Sequence, residues 1–141
     1  MAKTPVELQI LEFKHKRREV ATFSMTFTQA TDMEGQVTGL PRGGKITMRV
    51  KALNDGNSDL VCWMCDKKQA YSGNILFFDT TSGNIMKTLI FKDAYCVGYT
   101  EYWADPVKST DLAHWEEITI SCRVITNGGA LDFRNTWKLV E

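Results

Sequence analysis

The sequence lacks a charge excess, a long apolar run and a signal sequence. Seventeen basic residues balance seventeen acidic ones in 141 residues, which argues against nucleic acid as an obligate partner, because contacts to many phosphates need a basic excess. No apolar stretch approaches the ~20 residues that span a bilayer, so we expect no membrane insertion. Met1–Glu7 has no apolar core of the kind that signal peptides carry. We therefore expect a chain that begins in the cytoplasm and, if it leaves the cell, does so without a cleaved signal.

The sequence also lacks the motifs of the common enzyme classes. It contains no GxSxG, P-loop or HExxH pattern, and neither His15 nor His114 has a nucleophile at a motif spacing. Pro41–Gly44 resembles a phosphate-binding loop only superficially, because the Lys-Ser/Thr ending and a following helix are missing. We interpret Glu116 and Glu117 as solvated carboxylates on an exposed connection. The motif search therefore identifies no catalytic residues, and the sequence predicts a protein that is not an enzyme.

The four cysteines allow two interpretations. Cys62 and Cys65 form a CxxC pair, and a zinc site would recruit Cys96 and Cys122 as the other ligands. Zinc sites usually present their second pair close together, whereas these two cysteines lie far apart in the sequence. The interpretation we favour is that Cys96 and Cys122 point inward from strands as small apolar residues. Thiols stay reduced in the cytoplasm, so we expect neither zinc nor a disulfide.

Alternating apolar and polar residues predict a protein made mainly of β-strands. Strands with one buried face are predicted for Val6–Ile10, for about Glu19–Gln29 and for Lys45–Leu53. Further β segments are predicted at Asn74–Asp79, Ile85–Lys92, Ala94–Tyr102, Trp115–Thr126 and in a tail that ends near Phe133–Trp137. About eight strands with a single helix, without an internal repeat or a linker, predict a sandwich or a closed barrel that folds as a single domain over residues 1–141.

One α-helix is predicted in addition to the strands. Ser58 or Asn57 can cap its start, and Ser72–Asn74 is expected to end it. Its apolar face is formed by four residues at helical spacing, Leu60, Trp63, Met64 and Tyr71. A helix of about three turns must pack on the strands to persist.

A long polar connection, Thr31–Gly44, separates the second and third predicted strands. Loops in compact domains usually have ~4–6 residues, so a structureless connection of about 14 residues is expected to have a function. Its four glycines and one proline allow sharp turns, and its apolar side chains exceed what a solvated loop needs. We predict that this connection docks onto another protein surface. The candidate interface residues are Met33, Val37, Leu40, Pro41, Arg42, Gly43 and Gly44.

Two other segments have alternative interpretations. The run Lys14–Arg18 can bind nucleic acid or an acidic partner, but we interpret it as a charged turn that keeps the chain soluble, because no aromatic platform accompanies it. The aromatic residues of one strand and its end can line a ligand pocket, pack a core or form a protein interface. They are Tyr95, Tyr99, Tyr102 and Trp103.

Five motifs in order resemble a known family. They are Pro41–Gly44 before an alternating strand, Trp63–Asp66 on the helix, Gly73–Ile75, Met86–Val97 and Arg134–Trp137. Together they span nearly the whole chain. The sequence is similar to the Hcp (TssD) tube proteins of type VI secretion systems, in the form found in Bacteroidetes.

The resemblance implies a compact β-barrel flanked by one α-helix, and it implies a structural role. Members of this family form rings of six subunits, and the rings stack into a hollow tube that a contractile sheath expels with its effectors. The implied partners are further copies of the chain, sheath, spike and baseplate proteins, and effector proteins. The resemblance also implies that the Thr31–Gly44 connection contacts neighbouring subunits, and that the family has no catalytic residues and no cofactor.

A hollow tube needs a hydrophilic inner wall. The polar strand faces can supply one, with Thr47, Arg49 and Lys51 on one strand and Glu117, Thr119, Ser121 and Arg123 on another. The alternative is an ordinary solvated face. The alternative functions are a tube protein of a phage-like contractile particle and a small barrel that binds an apolar ligand through Tyr95, Tyr99 and Trp103. Whether the chain is the main tube subunit or a specialised paralogue that carries cargo is left open.

Overall fold

Within the residues that the structure describes, the chain forms seven strands and one helix. The structure is a computed structural model, and it describes residues 6–11, 18–39, 42–51, 58–66, 68–103, 114–128 and 131–134. The prediction of a mainly β fold with a single helix is confirmed. The described residues contain no helix that is long and apolar enough to cross a membrane. The elements are β1 (Val6–Ile10), β2 (Arg18–Thr28), β3 (Arg42–Lys51), α1 (Asp59–Cys65), β4 (Tyr71–Phe78), β5 (Ile85–Trp103), β6 (His114–Asn127) and β7 (Leu131–Arg134).

Six of the strands close into a ring. Neighbouring strands are antiparallel in the order β3-β2-β1-β4-β5-β6, and β3 also pairs with β6 from Lys45↔Ser121 to Lys51↔Trp115. This last pairing joins the two ends of the sheet, so that the strands surround one interior. The short strand β7 continues along β6 beyond the start of β3, with Arg134 opposite Val124. The predicted barrel is therefore present as a six-stranded ring with one added strand.

Apolar side chains from alternate strand positions fill the interior of the ring. Ile46, Met48 and Val50 of β3 have no exposed surface, and Ile118 and Ile120 of β6 are equally buried. This is the period of two that the sequence shows. Complete burial of each large side chain stabilises the fold by about 1.5–3 kcal/mol. The core therefore holds the strands in a register that turns the intervening polar residues outward.

β5 is one strand of 19 residues where the sequence predicts two, Ile85–Lys92 and Ala94–Tyr102. Asp93 has a φ of 51° and lies where the register with β4 shifts, so it forms a β-bulge rather than a turn. Its carboxylate accepts a 2.8 Å hydrogen bond from Nε of Arg123. A positive φ is unfavourable for a residue with a Cβ, and this bond helps to offset the cost. The described residues therefore contain seven strands rather than about eight.

The helix α1 is shorter than the sequence predicts. It has seven residues, about two turns, because Tyr71 and Ser72–Asn74 belong to β4. Ser58 occupies the N-cap position without making a side-chain capping hydrogen bond. Tyr71 still meets Trp63, with ring centroids 5.1 Å apart, but it does so from the neighbouring strand. Trp63 is 1% exposed and joins the barrel core, so α1 is held by packing.

The cysteines divide into a buried pair and an exposed pair. Cys96 and Cys122 point into the core from β5 and β6, whereas Cys62 and Cys65 are exposed on α1, and all four are free thiols. The predicted inward orientation of Cys96 and Cys122 is confirmed. Among the described residues, no group of three or more His, Cys, Asp or Glu side chains could hold a metal ion. The four sulfur atoms are thus not gathered into one site.

This division predicts two classes of thiol reactivity. Burial raises the pKa of Cys96 to about 11 and that of Cys122 to about 12. The thiolate is the reactive form, so in the folded chain at neutral pH we expect only Cys62 and Cys65 to react with a disulfide reagent. Titration of thiols in buffer and in denaturant measures both classes. Changing Cys62 and Cys65 to serine should remove the fast reaction, and fast reaction of all four thiols in the folded chain would contradict the burial.

Candidate functional site

The connection between β2 and β3 is an ordered extension of their hairpin. Thr31 and Val37 form an isolated antiparallel bridge, and the Asp32 carboxylate accepts 2.9 Å hydrogen bonds from two backbone N–H groups of the turn. At a turn, such side-chain hydrogen bonds satisfy backbone N–H groups that have no partner on a neighbouring strand. The expectation of a structureless connection over Thr31–Gly44 is therefore wrong. Asp32 supplies local hydrogen bonds, and β3 already begins at Arg42.

The hairpin tip, residues 29–39, presents the apolar side chains that the sequence analysis singled out. Every residue of the tip is exposed, and Met33 and Val37 have exposed fractions of 103% and 54%. Leu40 and Pro41 lie outside the described residues, and Arg42 opens β3. Exposed apolar side chains gain free energy when a partner covers them. The tip is therefore a surface suited to docking.

Gly43 and Gly44 shape the base of the hairpin tip. Gly44 has a φ of 86°, and the β2–β3 register shifts beside it, between Thr26 and Thr28. A glycine with positive φ at such a shift is typical of a β-bulge that bends a hairpin. A Cβ on Gly43 would lie 2.4 Å from the ring of Phe27. The two glycines therefore permit a bend that side chains would oppose.

A polar face extends over four adjacent strands on the outside of the barrel. Thr47 of β3 lies between Ser24 of β2 and Thr119 of β6, and Gly98 of β5 lies beyond Thr119. The hydroxyl oxygens of Thr47 and Thr119 are 3.1 Å apart. We call this surface the polar face; its strands are β2, β3, β6 and β5, in that order. It contains all seven residues that the sequence analysis assigned to a hydrophilic wall, Thr47, Arg49, Lys51, Glu117, Thr119, Ser121 and Arg123.

The charges of the polar face are mostly neutralised within it. Lys51 Nζ lies 2.9 Å from Glu19 Oε2, and Arg123 binds the Asp93 carboxylate of the β5 bulge. Arg49 lies over the ring of Trp115 at 4.3 Å from its centroid. Such contacts hold side chains of both signs flat against a sheet. The polar face is therefore hydrophilic without a large net charge.

Two strand edges of the polar face have no partner among the described strands. β1 pairs with β2 only at Arg18 and Glu19, so the β2 edge from Ala21 to Thr28 faces no described strand. β4 pairs with β5 only as far as Ala94, so β5 from Cys96 to Trp103 pairs with β6 alone. Open strand edges pair readily with other strands. Among the described strands, the four-stranded polar face thus has one unpaired edge on each side.

A buried polar network that the sequence analysis missed joins β2, β5 and β6. Arg18 Nη2 donates a 2.6 Å hydrogen bond to Glu116 Oε1, and the Tyr99 hydroxyl donates one of 2.6 Å to Glu116 Oε2. Arg18 is 8% exposed and Glu116 3%. Burial and the bond to Glu116 raise the pKa of Tyr99. The interpretation of Glu116 as a solvated carboxylate is therefore wrong. Glu116 lies two residues before the buried Ile118 on the same strand, and this alternation could have predicted that its side chain points inward.

Arg18 also corrects the interpretation of the basic run Lys14–Arg18. Residues 14–17 lie outside the described residues, and Arg18 belongs to β2 rather than to a solvated turn. Besides Glu116, its guanidinium binds the backbone oxygen of Lys51 at 2.9 Å. A buried carboxylate needs such a cation and its hydrogen bonds, because desolvation of an unpaired charge is costly.

The aromatic residues of β5 do not face one cavity. Tyr95 lies opposite Ser121 on the polar face, whereas Tyr99 lies opposite Ile118 and packs against the core. A register shift between Cys96 and Gly98 changes the alternation along β5, so that the side chains of Tyr95 and Tyr99 lie on opposite faces of the strand. Trp103 is 66% exposed and stacks on His114 with ring centroids 3.2 Å apart. The arrangement therefore does not favour a pocket for an apolar ligand lined by Tyr95, Tyr99 and Trp103.

Solved structures of low sequence identity share the fold of this chain. A chain from the cryo-EM structure of an extracellular contractile injection system, the PVC sheath-tube complex, matches with a TM-score of 0.52 at 14% identity, covering 94% of this chain and 90% of that chain. Hcp1 from E. coli EAEC 042 matches with a TM-score of 0.71 at 14% identity, covering 96% of this chain and all of that chain. These likenesses concern the fold.

The family follows from the sequence itself. Residues 5–138 match the model of the family described as hemolysin coregulated protein Hcp (TssD), and the chain belongs to this family. Hcp1 from Flavobacterium johnsoniae is 28% identical and superposes with a TM-score of 0.80, covering 92% of this chain and 98% of that chain. No curated protein matches the chain. The predicted resemblance to Hcp, including its Bacteroidetes form, is confirmed.

Proposed function

We propose that the chain is the repeating subunit of the inner tube of a type VI secretion system. In this proposal six copies form a ring, the rings stack into a tube, and the tube is expelled with its effectors. Family membership supplies the tube role. The observation that carries the assembly is the polar face, a hydrophilic four-stranded surface whose two outer edges have no partner among the described strands.

The two open edges support a head-to-tail ring. If the β2 edge of one subunit lies beside the β5 edge of the next, the polar faces join into one continuous surface. Such heterologous contacts form a closed ring when the rotation between subunits completes a circle. The fold itself would be unchanged, because both edges lie outside the pairings that close the barrel. Six subunits related in this way enclose a channel.

The polar face supports a lumenal role once the ring is closed. Its threonine, serine and paired charged residues present hydroxyl and charged groups to solvent rather than a continuous apolar surface. A channel lined by such groups stays hydrated and lets proteins pass without strong hydrophobic capture. We assign the polar face to the wall of the tube and the opposite, β1–β4 side of the barrel to its exterior.

The hairpin tip supports stacking between rings or contact between neighbouring subunits. It projects from β2 and β3, two strands of the polar face, and exposes Met33 and Val37 at its end. We assign to the subunit interface the residues that the sequence analysis named, with Leu40 and Pro41 included although they lie outside the described residues. In this assignment Arg42, Gly43 and Gly44 form the base that directs the tip.

The remaining features of the proposal follow from the tube role. The chain acts as one domain over residues 1–141, and it needs neither a cofactor nor catalytic residues. Its partners are further copies, sheath, spike and baseplate proteins, and effectors. It is made in the cytoplasm and leaves through the type VI apparatus. The second candidate, a tube protein of a phage-like contractile particle, is supported by the match to the PVC sheath-tube complex.

Assembly is the direct test of the proposal. We expect the purified protein to sediment at about six times the monomer mass at high concentration and to form rings in negative-stain micrographs. Changing Met33 and Val37 to aspartate should leave the melting temperature nearly unchanged, because substitutions at exposed positions cost within about 0.5 kcal/mol. The same double variant should weaken ring formation or stacking, since it places charge in the contact.

A matched variant separates the hairpin tip from general surface charge. Thr80→Asp and Thr81→Asp add the same charge at the exposed turn between β4 and β5, and rings of this variant should form normally. A wild-type protein that stays monomeric at high concentration would overturn the tube proposal. Normal rings and tubes from the folded Met33 and Val37 variant would exclude only the tip as the docking element.

A further inference from the structure

An open hollow lies on the polar face beside the Gly44 bulge. It has a volume of about 430 Å³ and is lined by Ser24, Thr26, Thr28, Gly43, Lys45 and Thr47. The described residues of its lining contribute four hydroxyl groups, one ammonium group and no carboxylate. The Gly44 bulge bends the hairpin, and a bend of this kind makes the outer surface of two strands concave.

Lys45 differs from the other cations of the polar face. Lys51 and Arg123 have carboxylate partners, and Arg49 lies over Trp115. Within the described part of the chain, Lys45 has neither an ion-pair nor an aromatic partner, and its side chain is exposed in the hollow. A lysine ammonium donates up to three hydrogen bonds, and each neighbouring hydroxyl can donate one more. The hollow therefore offers several donors and one uncompensated positive charge.

We propose that this hollow binds the carboxylate side chains of an acidic protein segment carried in the tube. Lys45 supplies the charge, and Ser24, Thr26 and Thr47 supply hydroxyl donors to the carboxylate oxygens. That the ligand is a carried protein rests on the proposed tube function, because only a lumenal hollow meets cargo. Hydrogen bonds that involve ionised groups are stronger than neutral ones, so even a shallow site gains affinity from this pairing.

Repetition would raise the affinity of a single weak hollow. In a ring, each copy presents the same hollow toward one channel, so an extended acidic segment can occupy several at once. Each contact stays weak and sensitive to salt because the hollow is open to solvent. The segment is thereby held during loading. After expulsion the rings separate, the local concentration of hollows falls, and the segment is released.

The test uses a fluorescently labelled peptide of alternating glutamate and glycine, with fluorescence anisotropy at low salt on the full-length protein. We expect Lys45→Glu to weaken binding at least threefold per chain and about tenfold in rings, where contacts are multiplied. Lys92→Glu makes the same charge change at an exposed position of β5 outside the hollow, and it should bind like wild type. A peptide of alternating lysine and glycine should not bind the wild-type protein.

Sedimentation of the same samples separates this proposal from the tube proposal. If rings form and the acidic peptide does not bind, or if both charge reversals weaken binding equally, the hollow is not an acidic-segment site. If inorganic phosphate displaces the peptide at a concentration equal to that of the glutamate carboxylates, the hollow is a phosphate site, and the acidic-segment proposal is also overturned. If rings do not form, the tube proposal fails, and Lys45-dependent binding to the monomer still decides whether the hollow takes carboxylates.

Discussion

A chain with Arg18→Met is expected to lose about 3–5 kcal/mol of unfolding free energy, because Glu116 would then remain in the interior without its cation. Glu116 is 3% exposed, and its oxygens accept 2.6 Å hydrogen bonds from Arg18 and Tyr99. Methionine keeps much of the aliphatic volume, so the loss measures charge rather than packing. Urea unfolding followed by tryptophan fluorescence gives the free energy and its change.

An exposed ion pair between β2 and β3 provides the control. Lys51 and Glu19 are 2.9 Å apart, but the side chains are each 48% exposed. Lys51→Met should therefore cost less than about 1 kcal/mol, and it leaves the backbone oxygen that Arg18 uses. Adding Glu116→Gln to Arg18→Met should recover part of the loss, because the amide still accepts the bond from Tyr99. An Arg18→Met variant no less stable than Lys51→Met would contradict the structural role of the network.

One of two proline variants, Thr100→Pro and Glu101→Pro, is expected to fold and yet form no rings. Consecutive residues of a strand direct their N–H groups to opposite sides, so one of these groups bonds to β6 and the other points to the open β5 edge. Proline removes the donor in both cases. On the β6 side proline removes a ladder hydrogen bond and leaves a carbonyl of β6 unpaired, which costs about 1–3 kcal/mol, whereas proline is tolerated at an open edge.

The melting temperatures of the two proline variants identify which N–H group points to the open edge. The variant that melts near wild type carries proline at that edge, and its sedimentation should remain that of a monomer at concentrations where wild type forms rings. Rings of normal size from that variant would show that the β5 edge does not pair between subunits. The hairpin-tip variant serves as a comparison, because it should alter stacking more than edge pairing.

Local patterns predicted most strands because burial on one side imposes a period of two. The pairing of β3 with β6 that closes the barrel joins segments far apart in the chain, and no local pattern reports it. The bulges at Asp93 and between Cys96 and Gly98 were also not predicted, because a single inserted residue reverses parity without an obvious signal. This is why the sequence pattern divides β5 in two and places Tyr95 and Tyr99 on one face.

The candidate surfaces were predictable to different degrees. Met33 and Val37 stood out as apolar residues in a polar connection, and the structure places both on the exposed hairpin tip. The role of Asp32 in ordering that tip depends on side-chain bonds to the backbone that spacing alone does not reveal. The hollow around Lys45 needs the β2–β3 register and the Gly44 bulge, so it became visible only in three dimensions.

Electron cryomicroscopy of the assembled protein tests the central claim most directly. We expect six-fold rings in which the polar face lines the channel, with Thr47 and Thr119 on the lumenal surface and the β2 edge of each subunit beside the β5 edge of the next. The contradicting results are a protein that remains monomeric at high concentration, or rings in which Thr47 and Thr119 face the exterior.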